Sequence, residues 1–253
     1  MKCVYKTFLL AAAPFALLVT PVLAQPDGQM KLKGFYAMTE EGVSPTGPMA
    51  TLAALTFTES GGITGTLVVR TAADFSHYVV QGSYFIDSTR SGTLTLSSSV
   101  SDEEGNGQLM TVQYRVILSP TGEITAIRSN PGYYTVARFL SGIESGWSGN
   151  YSFAERSLTK PLARLGAITL DASGNVSGIQ IEDSLGILST SAVTGNYALS
   201  GNGFGNLTLL VPGRDAEGDA VKVAENYLCL ATKDELKMLR THGESLSILT
   251  LSR

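Results

Sequence analysis

The sequence predicts an all-β protein made of two tandem repeats, each of about eight antiparallel strands that meander into an up-and-down β-barrel or barrel-like sheet. Three observations carry the prediction. Apolar residues alternate with polar ones at a period of two, the pattern of a strand with one buried face. The links between these runs are short and rich in Gly, Ser, Asn and Asp, which suits antiparallel hairpins. Finally, the second half of the chain rewrites the first: "LTFTESGGITG" from Leu55 matches "ITLDASGNVSG" from Ile168, and Gly82-Ser83-Tyr84 matches Gly195-Asn196-Tyr197.

Residues 1–24 come first and stand apart from the fold. They carry Lys2 and Lys6, then an apolar run broken by Pro14 and Pro21, and end in Val22-Leu23-Ala24. This is the pattern of a secretory signal that is removed, so we expect an exported protein, periplasmic or extracellular, with no membrane span after removal. Losing the two lysines moves the formal net charge from −4 to −6 and takes Cys3 away, leaving Cys229 alone. An acidic chain without a basic cluster argues against a nucleic-acid partner. A lone cysteine forms no intrachain disulfide; mid-strand between Leu228 and Leu230, it is expected to be a buried thiol.

The first repeat, 25–141, shows strand patterns near 30–38, 51–59, 62–71, 77–87, 91–99, 109–119, 122–129 and 132–140. Inward faces read Tyr78, Val80, Gly82, Tyr84 and Ile86 on one strand and Met110, Val112, Tyr114, Val116 and Leu118 on another. The second repeat, 142–253, places its strands near 147–155, 164–172, 175–183, 190–199, 204–211, 220–231, 234–241 and 244–252. Only the segment from Thr232 to Glu244 reads locally as a helix, and its counterpart in the first repeat, with Ile124, Thr125 and Pro131, reads as a strand. One larger sandwich or barrel with a shared core is the alternative arrangement, and a single sixteen-stranded outer-membrane barrel is another.

A meander of eight strands abolishes its exposed edges by closing on itself. The first strand of each repeat carries Gly34-Phe35-Tyr36 and Gly149-Asn150-Tyr151, with the only tryptophan, Trp147, two residues before Gly149. In these features each repeat resembles the calycin group, the lipocalins and avidins, whose first barrel strand carries Gly-x-Trp. The resemblance implies a barrel with room for a ligand pocket and carries over no particular ligand.

Chemistry is sparse in the sequence. His77 and His242 are the only histidines, occupy non-equivalent places in the repeats and sit among turn residues. No Gly-x-Ser-x-Gly elbow occurs, and one remaining cysteine with two separated histidines does not make a zinc site. The aligned acidic turns, Asp102, Glu104, Gly105 and Asn106 with Asp215, Glu217, Gly218 and Asp219, read as solvated hairpins rather than calcium loops. No catalytic, metal or cofactor residues are therefore assigned, and the expectation is a non-enzyme.

The recurring tyrosines Tyr36, Tyr84, Tyr114, Tyr151, Tyr197 and Tyr227, with Glu225 as a polar anchor in place of Val112, form the candidate ligand-binding set. The same tyrosines also fit a filled core. Gly82, Gly195, Ser191, Cys229 and Ala231 at inward positions suggest spare volume, and the second barrel is expected to be the roomier. The function that follows is an exported, non-catalytic barrel protein holding a small hydrophobic molecule. The alternative is an envelope or extracellular interaction module with filled barrels.

Overall fold

The computed structural model describes residues 28–101, 107–142, 147–200, 203–214, 217–232, 234–243 and 245–252. The expected signal segment 1–24 and the turn residues Asp102, Glu104, Gly105, Asn106 and Asp215 lie outside these. Sixteen strands form two closed antiparallel barrels in tandem. The first comprises β1 (Gly34–Ser44), β2 (Gly47–Phe57), β3 (Gly62–Thr71), β4 (Phe75–Ile86), β5 (Ser91–Ser101), β6 (Gly107–Leu118), β7 (Ile124–Arg128) and β8 (Tyr134–Ser141). The second comprises β9 (Gly149–Ser157), β10 (Leu162–Leu170), β11 (Asn175–Ser184), β12 (Ile187–Leu199), β13 (Phe204–Arg214), β14 (Ala220–Ala231), β15 (Glu235–Arg240) and β16 (Ser247–Ser252). Closure is by β1 on β8, from Tyr36↔Ser141 to Val43↔Tyr134, and by β9 on β16, from Ser152↔Ser252 to Ser157↔Ser247. Two separate closures replace both the shared-core and the sixteen-stranded alternatives.

The first strand is displaced from its expected position. It runs on through Glu40 and Glu41, which look like the end of a strand, because Glu40 points inward and is 1% exposed. The residues just before it, Met30 to Lys33, instead close the base of the barrel: Met30 N–H bonds Ile86 O at 2.8 Å, and Leu32 is buried. β1 stays close to β8 only because residue 42 is glycine. Its φ is +155°, and a Cβ there would lie 2.2 Å from Tyr134 O.

Inside the first barrel, Phe57 gathers the aromatic core, with ring centroids 4.7 Å from Tyr36, 5.3 Å from Tyr84 and 6.4 Å from Phe139. The second barrel packs Trp147, Tyr151, Phe153, Leu207, Tyr227 and Met238. Gly82 and Gly195 do not leave spare volume as expected. A Cβ on either would come within 1.9 Å of the carbonyl oxygen of Thr95 or Thr208, so each glycine serves the close approach of neighbouring strand backbones.

β2 and β14 are apolar on both faces, and the reason lies between the barrels. Ala50, Leu52, Ala54 and Val68 on the outside of the first barrel pack with Leu230, Leu239, Leu246 and Ile248 of the second. Arg70 adds a hydrogen bond from Nη2 to Gly243 O at 2.7 Å. These outward apolar residues form a third buried cluster that joins the two barrels, additional to each barrel's own core.

Candidate functional site

The inward face of β1 carries Tyr36, Met38 and Glu40, and strand pairing places Thr51 of β2 directly opposite Glu40. On the far side of the barrel, Tyr114 of β6 faces Arg128 of β7. Tyr114 donates its hydroxyl to Glu40 Oε2 at 2.9 Å, and Thr135 of β8 donates to Oε1 at 2.5 Å. The Glu40 carboxylate is therefore held by two hydroxyls. Burial, and then the charge of Glu40, push the Tyr114 phenol well above its usual range, so it remains a donor.

Arg128 is less completely bonded. Its guanidinium lies over the Tyr133 ring at 3.6 Å, with Nη1 3.9 Å from Glu40 Oε1 and 4.0 Å from Met49 Sδ. Nε is buried without a hydrogen-bond partner, as is Oγ1 of Thr51. Both residues line a cavity of about 160 Å³ that enters the first barrel from the end opposite Leu32. Met49, Leu67, Val69, Met110 and Val112 give it apolar walls, while Asp74, Ser76 and Tyr78 stand toward its mouth. A wider groove of about 450 Å³, lined by Phe85, Arg115, Ile117 and Ile127, runs over the outer surface of β4–β7 and does not enter the barrel.

The second repeat contains the same constellation with the cavity filled. Glu155, Tyr227, Arg240 and Ser247 stand where Glu40, Tyr114, Arg128 and Thr135 stand in the first. Arg164 takes the place of Thr51, opposite Glu155 in the β9–β10 pair. Glu182 replaces Val69 beside it, opposite Arg164 in the β10–β11 pair. Arg164 donates to both oxygens of Glu225, at 2.6 Å and 3.1 Å, to Glu155 Oε2 at 3.2 Å and to Glu182 Oε2 at 2.6 Å.

Glu225 also accepts from Arg240 Nη2 at 2.9 Å and from Tyr227 at 2.9 Å, and Ser247 donates to Glu155 at 2.5 Å. Burial opposes the charge of Glu225, but hydrogen bonds from Arg164 and the charges of both arginines outweigh it and hold the carboxyl below its usual range. For Arg164 burial likewise opposes the charge, and Glu225 and Glu155 hold it above its usual range. Tyr227, like Tyr114, is pushed well up by burial and by the neighbouring carboxylates.

The expectation that the second barrel is the roomier is therefore reversed. Cys229 and Ala231 are fully buried within its core, and the long side chain of Arg164 occupies the space that Thr51 leaves open. The depression over the second barrel is larger, about 540 Å³, but its floor is Arg164, Glu225 and Arg240, so it stays above the ion network.

The candidate set divides by depth. Tyr36, Tyr84, Tyr151 and Tyr197 lie at the closed bases: Tyr84 accepts from Leu32 N–H at 2.7 Å and donates to Thr58 O at 3.0 Å, and Tyr197 donates to the carbonyls of Trp147 and Asp171. Tyr114 lines the cavity, whereas Tyr227 and Glu225 belong to the ion network. Glu225, expected to be a polar anchor for a ligand, is instead bonded to two arginines, Arg164 and Arg240. Trp147, fully buried and stacked on Tyr151 at 5.0 Å, closes the second base as Leu32 closes the first. His77 and His242 are exposed.

Sequence reasoning did not assign Glu40, Thr51, Arg128, Thr135, Glu155, Arg164, Arg240 or Ser247. The signal was present, since Glu40 and Glu155 continue the inward parity of Tyr36 and Tyr151, and Arg128 aligns with Arg240.

The fold and the two interiors define a tandem pair of eight-stranded β-barrels, one with an open cavity and one filled by buried ions. No family model matches the chain, and no curated protein matches it. Among solved structures it is similar to kievitone hydratase from Nectria haematococca, at 9% identity and a TM-score of 0.26 over 92% of this chain and 91% of that one. It is also similar to a putative outer membrane protein from Bacteroides fragilis, at 10% identity and a TM-score of 0.25 over 89% of this chain and 96% of that one. At these scores neither likeness bears on activity.

Proposed function

We propose that the chain is an exported, non-catalytic binding protein of calycin-like build, in which the first barrel holds a small, largely apolar molecule and the second is a solid support. The single observation behind this is the cavity between Glu40, Thr51 and Arg128, whose apolar walls meet two buried polar side chains with unfilled hydrogen-bonding capacity. Small-molecule sites combine these elements, an apolar wall with a few convergent polar groups. The volume, about 160 Å³, suits a body the size of one ring, since an apolar cavity of about 150 Å³ admits benzene. The non-catalytic reading is supported by Glu40, whose two oxygens already accept from Tyr114 and Thr135 and are poorly placed to take a proton from substrate.

The test is methyl NMR of the protein labelled at methionine, with ring-sized probes such as benzyl alcohol. The methyls of Met49 and Met110 should shift on addition, Met38 in the closed core should not, and Val112→Phe should abolish the response. Unmoved Met49 and Met110 signals at millimolar probe would refute the reading. A second reading, an interaction module, is favoured by one feature: Leu165, Ile179, Ile181 and Leu188 stand exposed on the outside of β10–β12. It would gain if the cavity bound nothing and if Ile181→Lys removed a partner captured by the wild-type protein.

A further inference from the structure

We propose that the first barrel takes a small carboxylate, an anionic head on a body of about one ring, with the head against Arg128 in the way that Glu225 lies against Arg240. This rests on the first barrel being a binding module and names the chemistry of its ligand. The two repeats show one site with and without its occupant. Tyr114 faces Arg128 across β6–β7, and Tyr227 faces Arg240 across β14–β15. Two residues before each tyrosine, on the same inward face, stands Val112 in the first barrel and Glu225 in the second. In the second barrel that carboxylate accepts from Arg240 at 2.9 Å and from Tyr227 at 2.9 Å. In the first barrel no side-chain carboxylate fills the place, and Val112 faces the cavity instead.

Arg128 shows what is missing. Its side chain is 8% exposed and its closest carboxylate contact is 3.9 Å, where Arg240 has Glu225 at 2.9 Å; Nε is unpartnered in both arginines, so the difference lies at the Nη end. A guanidinium is a planar fork of donors that matches two coplanar oxygens, and leaving it buried and under-bonded is costly. Thr51 Oγ1, fully buried and also unpartnered, lines the same cavity and is a further donor for an oxygen of the ligand.

Charge points the same way. The second barrel sets Glu155, Glu182 and Glu225 around Arg164 and Arg240, one carboxylate more than arginine. A carboxylate entering the first barrel would join Glu40 around Arg128 and produce the same excess of one at that depth, Asp74 at the mouth being exposed to solvent. A cationic ligand would have to sit where Arg164 sits, with Glu40 and the positive Arg128 beside it, whereas Arg164 has Glu155, Glu182 and Glu225 around it. A neutral ring would fill the cavity and leave Arg128 as it is.

The experiment titrates the full chain with three probes of one shape: benzoate, benzamide and benzamidine. Calorimetry gives affinity, and the methyl signals of Met49 and Met110 report entry. Benzoate should bind at least about tenfold more tightly than benzamide, as a charge-assisted contact in a buried site implies. Arg128→Gln should remove that preference while benzamide still enters. Val112→Glu, which installs the second barrel's own carboxylate, should exclude benzoate at neutral pH. Should Arg128→Gln prove unfolded by circular dichroism, the comparison of the three probes on the wild-type chain carries the test alone. Equal affinity for benzoate and benzamide, or a preference for benzamidine, overturns the carboxylate assignment and leaves the binding module standing. Silence from all three probes overturns both.

Discussion

Replacing Arg164 with threonine, the residue of the first repeat, tests how the second barrel tolerates so many buried charges. Arg164 is 7% exposed and is bonded to three carboxylates, of which Glu155 and Glu225 are 3% and 4% exposed. Without it Glu225 keeps Arg240, while Glu155 and Glu182 lose the arginine bonded to them. Removing one partner of a buried ion pair costs about 3–5 kcal/mol, because the remaining charge is left desolvated and uncompensated. For one barrel, about half the chain, that corresponds to a fall in Tm of roughly 12–20 °C, at about 4 °C per kcal/mol.

The double variant Arg164→Thr with Glu225→Val approaches the arrangement of the first barrel and differs from it by the partly exposed Glu182 in the place of Val69. It should therefore be more stable than Arg164→Thr alone, with a coupling between the two sites of about 2 kcal/mol or more. The assay is urea unfolding followed by tryptophan fluorescence, which reports the second barrel alone because Trp147 is the only tryptophan. A loss below about 1 kcal/mol for Arg164→Thr, or simple additivity in the double variant, would refute the argument from buried charge.

Trp147→Ala, which removes a fully buried plug stacked on Tyr151, should destabilise the second barrel by about 3–5 kcal/mol in calorimetry and leave the first transition in place. A lowered folded pKa at Glu225 means its stabilisation is complete above the ordinary value of 4.5 and is lost as pH falls through the lower folded value. The fluorescence midpoint of the wild-type chain should thus drop on acidification below that point more than that of the double variant, and equal slopes would contradict it. Burial pushes the Cys229 thiol up and encloses it, so a thiol reagent at mildly alkaline pH should label it no faster than the barrel unfolds. Expressed alone, residues 25–141 should unfold cooperatively but self-associate through the bared face of Ala50, Leu52 and Val68, and Leu52→Lys should restore a monomer in sedimentation; a monomer without that substitution would show the face to be inert.

The sixteen strands were legible because alternation and the repeat reinforce each other, so even the helix-like stretch around Glu235 to Arg240 resolves as β15. The joint between the barrels was not. Leu228 and Leu230 lie opposite Tyr227 and Cys229, and alternation, which assumes one wet face, does not assign an inside to a strand with two dry ones. The bases were half-legible: Trp147 stood out as a singular residue, while Leu32, which does the same work in the first barrel, has nothing to distinguish it from any strand leucine.

The site was misread for a chemical reason. Charged residues near the ends of apolar runs are ordinarily solvated, so Glu40, Glu155 and Arg164 read as strand termini, while the tyrosines, large and recurring, read as the site. Parity argues otherwise. A solvated carboxylate has no need to keep the inward phase of its strand, yet Tyr36-x-Met38-x-Glu40 and Tyr151-x-Phe153-x-Glu155 both keep it, and each accepts from the tyrosine at the matching place of its own repeat, with Arg128 near Glu40 and Arg164 on Glu155. One inward charge could be the frayed end of a strand. Two at the same depth mark a shared interior, and the residues that differ around them, Thr51 against Arg164 and Val112 against Glu225, then separate the barrel that was filled from the barrel that was left open.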